Sequence, residues 1–520
     1  FSCLNILIAI KTIKSMKIKL LLLSLIASSF CIAQDISKKK IEKWTEDYSA
    51  KAVENLSDFL SIPNNGLDPI QIQNNLNWSK STFEDLGFTV TEIISQGIPV
   101  LLAEKKLAPN LPTVLFYLQI DGQPVDSAQW DQENPYIAVF KEKNKFGAWE
   151  LTDLKEKKWD KESYIFARSA SDSKGPAMSL ISAFQILNEK SIALKYNIKV
   201  LLDFQEEVGS PTLPEMVVNN KDLLQADYLF IMDGARHLSN KPTLTFGARG
   251  IATAKWRVFG PKVPLHSGQY GNYAPNPVFD AAKVIGQLKD ASGKVTLEGF
   301  YDGIDISKKD QAFLNAIEEN EIATNKRLGI SKRDAIGAGY QEALQYPSLN
   351  IRGIKAAWVG AQVRTIIPAE VIVEIDMRLV PESDGKTLME SLKKRIQEEG
   401  YFLVDSLPTD QQRALYPKLA NFTYKLGSKP FRTPMDGPIA DLLSTSMKKI
   451  FGDEFILMRT TGGSQPIAPF ISTLNIPAVS IRIPNPDNNI HSPNENIKIG
   501  NYLEGIMTCL SILNTGIEGS

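Results

Sequence analysis

Asp172, Glu206, Glu207, Asp233 and His491 are the residues of this chain whose types and places could do chemistry together. Glu206 and Glu207 follow the apolar run "IKVLLDFQ", and Asp233 follows "DYLFIM". Asp172 stands in "SASDSKGPAM", where a helix is expected to begin, and His491 lies in "NNIHSPNEN", after another apolar run. Carboxylate oxygens and an imidazole nitrogen suit a divalent cation such as zinc, and a catalytic zinc keeps one position open for water. Two cations about 4 Å apart can share a carboxylate and a water. A cation lowers the pKa of its water, and a carboxylate left free can take the proton. Of the adjacent Glu206 and Glu207, one can bind metal while the other serves as base. A lone acidic residue in a loop is usually just solvated, and Glu-Glu is a common dipeptide. Several such residues at strand ends, in a chain whose only histidines are His237, His266 and His491, point more firmly to a shared site.

A sixth position raises a question. In "FYLQIDGQPVD" the apolar run ends at Gln119, with Asp121 just beyond it, where a metal centre would want a histidine. Two readings stand. Gln119 caps its strand by hydrogen bonds and one metal position is lost. Alternatively, Asp121 accepts the amide N–H of Gln119 and turns its oxygen toward a metal, as outer partners of ligands do. In both, the Gln119/Asp233 side is the weaker. Asp172 then holds one tight metal and at most one loose one, for which a harder ion such as manganese would suit better than zinc.

The elements that must position these residues can be read from periodicity. Residues 38–60 place apolar side chains at helical spacing. "PTVLFYLQ", "IKVLLDFQ" and "DYLFIMD" look like buried parallel strands, with a helix over 175–190 between the first two. Helix 437–451 and strand 478–483 repeat the theme, which implies an α/β layer with ligands at the carboxyl ends of its strands. In between, "IATAKWRVFG" and "VIVEIDMRLV" alternate as antiparallel strands do, and Asn276 with Pro277 forms a helix start. The expected fold is a mostly parallel α/β catalytic domain (34–247 and 426–520) carrying an inserted α+β domain (248–425). Residues 139–163, dense in Lys, Glu and Trp, and residues 300–350, with a helix and a Gly-containing loop, look like surface insertions.

With 58 Lys+Arg against 59 Asp+Glu and a net charge of −1, nothing argues for nucleic acid. Residues 1–33 read as an export segment: Met16 as the start, Lys17 and Lys19, the run "LLLLSLIASSF", and a small-x-small site ending at Ala33. The run is short for a membrane span. A lipoprotein built on Cys31 fits less well, because Phe30 precedes it. The expectation is a periplasmic or secreted protein with no membrane attachment after cleavage. Only Cys509 would then remain, which excludes a disulfide framework or a cysteine-rich zinc site.

"QIDGQPVD", "SASDSKGPAM", "QEEVGSP", "DYLFIMDGA", "ARGIATAKWRV", "LHSGQYGNYAPNP", "DMRLVP", "RTTGGSQP" and "IHSPNEN", in that order, resemble the dizinc peptidase family of carnosinase, carboxypeptidase G and aminoacylase. The likeness runs from about residue 40 to the C-terminus, and the carnosinase-like dipeptidases are nearest, through "HSGxxG" and "RLVP". The resemblance implies that Asp172 bridges two metals, with Glu207 and His491 completing one site and Asp233 and Gln119 the other. It implies Glu206 as general base and then proton donor, and Asp121 as the group that fixes the ligand two residues before it. It implies that His266 serves the oxyanion of a partner subunit, and that Arg378 with Gly462, Gly463 and Ser464 holds the substrate carboxylate. The inserted domain would be a lid and dimerisation domain, and the protein a homodimer. His237 matches no motif.

The expected function is hydrolysis of amide bonds in dipeptides or short peptides with a free carboxylate. A deacylase of N-acyl amino acids would use the same machinery. A catalytically silent binding protein of this fold is the third reading, against which the presence of Glu206 speaks.

Overall fold

Helix Lys38–Leu60 opens the part of the chain described by this computed structural model, which covers residues 35–152, 160–465 and 467–517. The export segment expected at 1–33 lies outside the described residues. The helix buries Ile41, Tyr48, Ala52, Leu56 and Phe59, one stripe of its helical period, and packs on helix Lys174–Glu189.

One sheet of eight strands runs in the order Thr89–Ser95, Ile98–Lys105, Asn197–Asp203, Thr113–Gln119, Tyr228–Ile231, Ala478–Arg482, Thr243–Thr245, Ile456–Met458. The central strands, from Asn197–Asp203 to Ala478–Arg482, are parallel to one another. Strand Thr113–Gln119 shows why it sits in the middle. Val114, Phe116 and Leu118 face the helices Lys38–Leu60, Lys174–Glu189, Pro438–Phe451 and Ile499–Asn514, while Leu115 and Tyr117 face Leu213–Asn219 and Ala468–Leu474. Each such side chain contributes ~1.5–3 kcal/mol by leaving water. Parallel strands end on one edge, and the register places Gln119 beside Asp203 and Tyr117 beside Ile231. The turns that carry Asp121, Glu206, Glu207 and Asp233 therefore leave the sheet together.

The second sheet, antiparallel except at its Phe402–Leu403 edge, runs Ser348–Lys355, Glu370–Leu379, Gly250–Phe259, Leu419–Leu426, Phe402–Leu403. Along Glu370–Leu379 burial alternates residue by residue, as expected of a sheet covered on one face. The covering helices are Pro277–Gln287, capped by the Asn276 side chain, and Gly385–Glu398. The chain is thus a mostly parallel α/β domain with an inserted α+β domain.

Two stretches differ from the sequence reading. Residues 139–163 are more than decoration: Val139–Lys143 and Trp149–Leu151 join Tyr164–Phe166 and Asn496–Lys498 in a small sheet, where Trp149 packs edge-on against Tyr164 and Phe166. Thr89–Ser95 and Ile98–Lys105 form a hairpin through Gln96 and Gly97, both at positive φ. Residues 300–350 hold helices Lys308–Asn315, Glu321–Leu328 and Tyr340–Ala343. Among the described residues no helix is long and apolar enough to cross a membrane.

Candidate active site

Asp172 sits at the centre of the carboxyl edge, and its place is heavily determined. Two residues on, the buried Lys174 ammonium donates to the carbonyls of Phe59 and Ile62, tying the start of helix Lys174–Glu189 to the end of Lys38–Leu60. On the other side, the fully buried Glu495 accepts from the backbone N–H groups of Ser169, Ser171 and Asp172, from the Ser171 hydroxyl and from the Arg168 guanidinium at 2.7 Å. These bonds settle a buried carboxylate that would otherwise be costly, and they aim Asp172 outward.

The structure brings Asp172, Glu207 and His491 together. His491 Nε2 lies 3.1 Å from Asp172 Oδ2 and 3.3 Å from Glu207 Oε2, and one ligand atom from each residue lies within 4.8 Å of the others. Glu207 Oε2 also accepts from Gln123 Nε2 at 2.8 Å. Hydrogen bonds to Asp172 and Glu207 push the His491 imidazolium up to about 10. One nitrogen and two carboxylate oxygens converge here, an arrangement a divalent ion can bind. The donor set fits zinc.

Glu206 stands among these groups. Burial, and then the charges of Asp233, Asp172, Glu207 and Asp121, hold its carboxyl well above the usual range. Burial, and then Asp172, also raises Asp233, whose Oδ2 accepts from Gln465 Nε2 at 2.6 Å.

Asp121 does not hold Gln119. The chain leaves the sheet after Gln119, and the Asp121 carboxylate turns to the next strand's loop, where Oδ1 accepts from the Glu206 N–H at 2.9 Å and Oδ2 from the Glu207 N–H at 3.0 Å. Gly66 makes room for it, since a Cβ there would fall 2.6 Å from Asp121 Oδ2. Asp121 therefore fixes the turn bearing Glu206 and Glu207. The Gln119 amide instead donates to Asp172 Oδ1, which also accepts from the Ser173 hydroxyl. Gln119 Oε1 is buried without a partner.

Across the cleft, Arg378 projects from Glu370–Leu379 and donates to Ser464 Oγ at 3.0 Å. Arg249, given no role in the sequence reading, joins this place. Its N–H donates to the Gly463 carbonyl, and its guanidinium, bonded to Tyr346 O and Ser348 Oγ, is lowered to about 10 by burial and then by Arg378. The loop of Gly462, Gly463 and Ser464 is thus held by the Arg249 backbone at Gly463 and by the Arg378 side chain at Ser464. A cleft of about 750 Å³ opens beside Arg249, walled by His237, Tyr301, Leu328, Tyr340 and Leu344.

His266 is not brought to the cluster. It is exposed on the short ladder Leu265–His266 with Ile366–Ile367, and its Nδ1 accepts from the Gly268 N–H in its own loop. His237 bonds to Ser239. Sequence reasoning missed Glu495, Gln465 and Arg249. All three stand inside motifs already marked, "HSPNEN", "GGSQP" and "ARGIATAKWRV", and the polarity of the first two beside expected ligands was the available signal.

The model of peptidase family M20/M25/M40 matches residues 117–515. The chain is 26% identical over 499 residues to human Beta-Ala-His dipeptidase, covering 90% of each chain. It is 27% identical to the Cys-Gly metallodipeptidase DUG1 of Candida albicans, covering 89% of this chain and 94% of that one. Among solved structures, the M20 family metallo-carboxypeptidase Sso-CP2 of Sulfolobus solfataricus superposes with a TM-score of 0.72 at 27% identity, over 89% of this chain and 98% of that one.

Proposed function

Because the chain belongs to peptidase family M20/M25/M40, and is a metal-dependent peptidase, we propose that it hydrolyses dipeptides or short peptides with a free carboxylate, with Glu206 as base. One observation carries the reading: a metal-ligand cluster of Asp172, Glu207 and His491 with the protonatable Glu206 beside it. The dipeptidase relatives support the substrate class.

Asp172, Glu207 and His491 would hold a divalent cation, zinc by their ligand types, which would supply Lewis acidity for the attacking water and the scissile carbonyl. Glu206 accepts a proton from that water and returns it to the nitrogen of the leaving amine. Its raised pKa suits it to hold the proton between the two steps, because burial and neighbouring negative charge favour its neutral form. Asp121 keeps Glu206 and Glu207 apart in role by pinning both of their backbone N–H groups. Arg378, steadied by Ser464, pairs with the substrate's carboxylate, the two-pronged match for which guanidinium is suited.

His266 completes the site from a second copy of the chain, where it donates to the oxyanion. In support, it stands exposed on the inserted domain, and Tyr273, Val359 and Val363 in the neighbouring segments are exposed too. Mixed His266→Ala and Glu206→Gln subunits should regain part of the activity each lacks, since some heterodimers hold one intact site. Exchange of subunits without any return of activity would place His266 elsewhere. The N-terminal segment supports export with cleavage after Ala33, which N-terminal sequencing of the matured chain tests; an uncleaved chain would refute it.

The zinc-loaded protein should cleave unmodified dipeptides. Faster cleavage of N-acyl amino acids would favour the deacylase reading instead, and cleavage of neither would sink the peptidase assignment.

A further inference from the structure

We propose that this chain works with a single metal ion, because two side-chain amides occupy the place of the second. The proposal rests on the peptidase reading above. Its observations lie on the side of Asp172 that faces away from His491.

A second cation would need Asp172 Oδ1, Asp233 and the side chain at position 119. Asp172 Oδ1 already accepts from Gln119 Nε2 and from the Ser173 hydroxyl. Asp233 Oδ2 already accepts from Gln465 Nε2 at 2.6 Å. The orientation of Gln119 follows from chemistry. An ionised carboxylate has no hydrogen to give, so an amide beside it must present its N–H and not its oxygen. With its Nε2 bonded to Asp172, Gln119 has only its neutral Oε1, buried and without a partner, to offer a metal, a poor ligand where an imidazole nitrogen binds far better. Gln119 is 2% exposed, so its amide is held in a packed site. Gln465, 7% exposed, is equally enclosed.

The two amides do part of what a cation would do. Each brings N–H dipoles to a buried carboxylate that needs a partner. They bring no positive charge, so the negative surplus around Glu206 persists. The residues present therefore fit one metal, at Asp172, Glu207 and His491, and do not fit a second at Gln119 and Asp233.

The test is a count. The full-length protein is stripped with chelator and titrated with zinc, with bound metal measured after desalting. A parallel cobalt titration is read by visible absorption. The wild-type protein should saturate at one equivalent per chain, with one set of cobalt bands. Gln119→His should take up a second equivalent and add a second set. A second wild-type equivalent that survives desalting would overturn the proposal, and the wild-type count decides even where Gln119→His does not fold. Dipeptide hydrolysis is scored separately. Two metals with hydrolysis would defeat this inference and leave the peptidase reading standing. One metal without hydrolysis would do the reverse.

Discussion

Asp172 presents one oxygen to each of two unlike neighbourhoods. On the His491 side, Oδ2 meets an imidazole and the Glu207 carboxylate, groups that gain from a shared cation. On the Gln119 side, Oδ1 meets an amide and a hydroxyl, groups that satisfy a carboxylate without one. The same carboxylate is thus a ligand in waiting on one side and an ordinary buried acceptor on the other. A single residue type decides this, since a glutamine can satisfy the carboxylate locally by donating an N–H, whereas a neutral histidine can offer a lone pair to a metal.

The contrast can be broken most sharply by removing one residue from each side. His491→Ala should weaken zinc binding more than ~100-fold, beyond what loss of an outer partner costs, whereas Asp233→Asn should change it less than ~10-fold. Equal losses in competition titrations would show that the two sides are one site. Next in size is the substrate anchor. Arg378→Ala should lower kcat/KM for dipeptides by ~10–100-fold, the value of a charged hydrogen bond of ~1.5–3 kcal/mol. A C-terminally amidated substrate should scarcely notice the change, and a uniform loss over both substrates would move Arg378 out of the anchor. A third effect is graded with pH. His491 is raised from 6.5 to about 10 in the metal-free chain, so its proton stabilises that state fully below about pH 6.5, and the gain is lost as pH rises toward 10. Metal must displace the proton, and zinc affinity should therefore climb ~10-fold per pH unit between about pH 7 and 9. A flat profile would remove His491 from the ligand set.

Much of this was legible in the chain. The parallel strands announce themselves as apolar runs, and "LLDFQEE" and "LFIMDGA" put their carboxylates one turn past the strand end. What was illegible depends on partners far away in sequence. Glu495 acquires its role from Ser169, Ser171 and Asp172, and nothing local in "SPNENIK" foretells three backbone donors. The strands within 139–163 are short, and their sheet is completed by Asn496–Lys498, so no run long enough to show a period exists. Gln119 and Asp121 misled for a geometric reason. Spacing of two suggests a shared face of a strand, but the strand ends at Gln119, and the turn sends Asp121 to Glu206 and Glu207. The hairpin at 89–105 carries one local signal, its Gln96-Gly97 turn, because neither of its strands alternates cleanly.

Both sides of the site converge on Glu206, and turnover by Glu206→Gln measures its role most directly. The variant keeps the shape of the side chain and removes its proton exchange. With zinc content and thermal stability matched to wild type, kcat on a dipeptide should fall ~10²–10⁴-fold. Turnover near wild type at equal metal content would contradict the account.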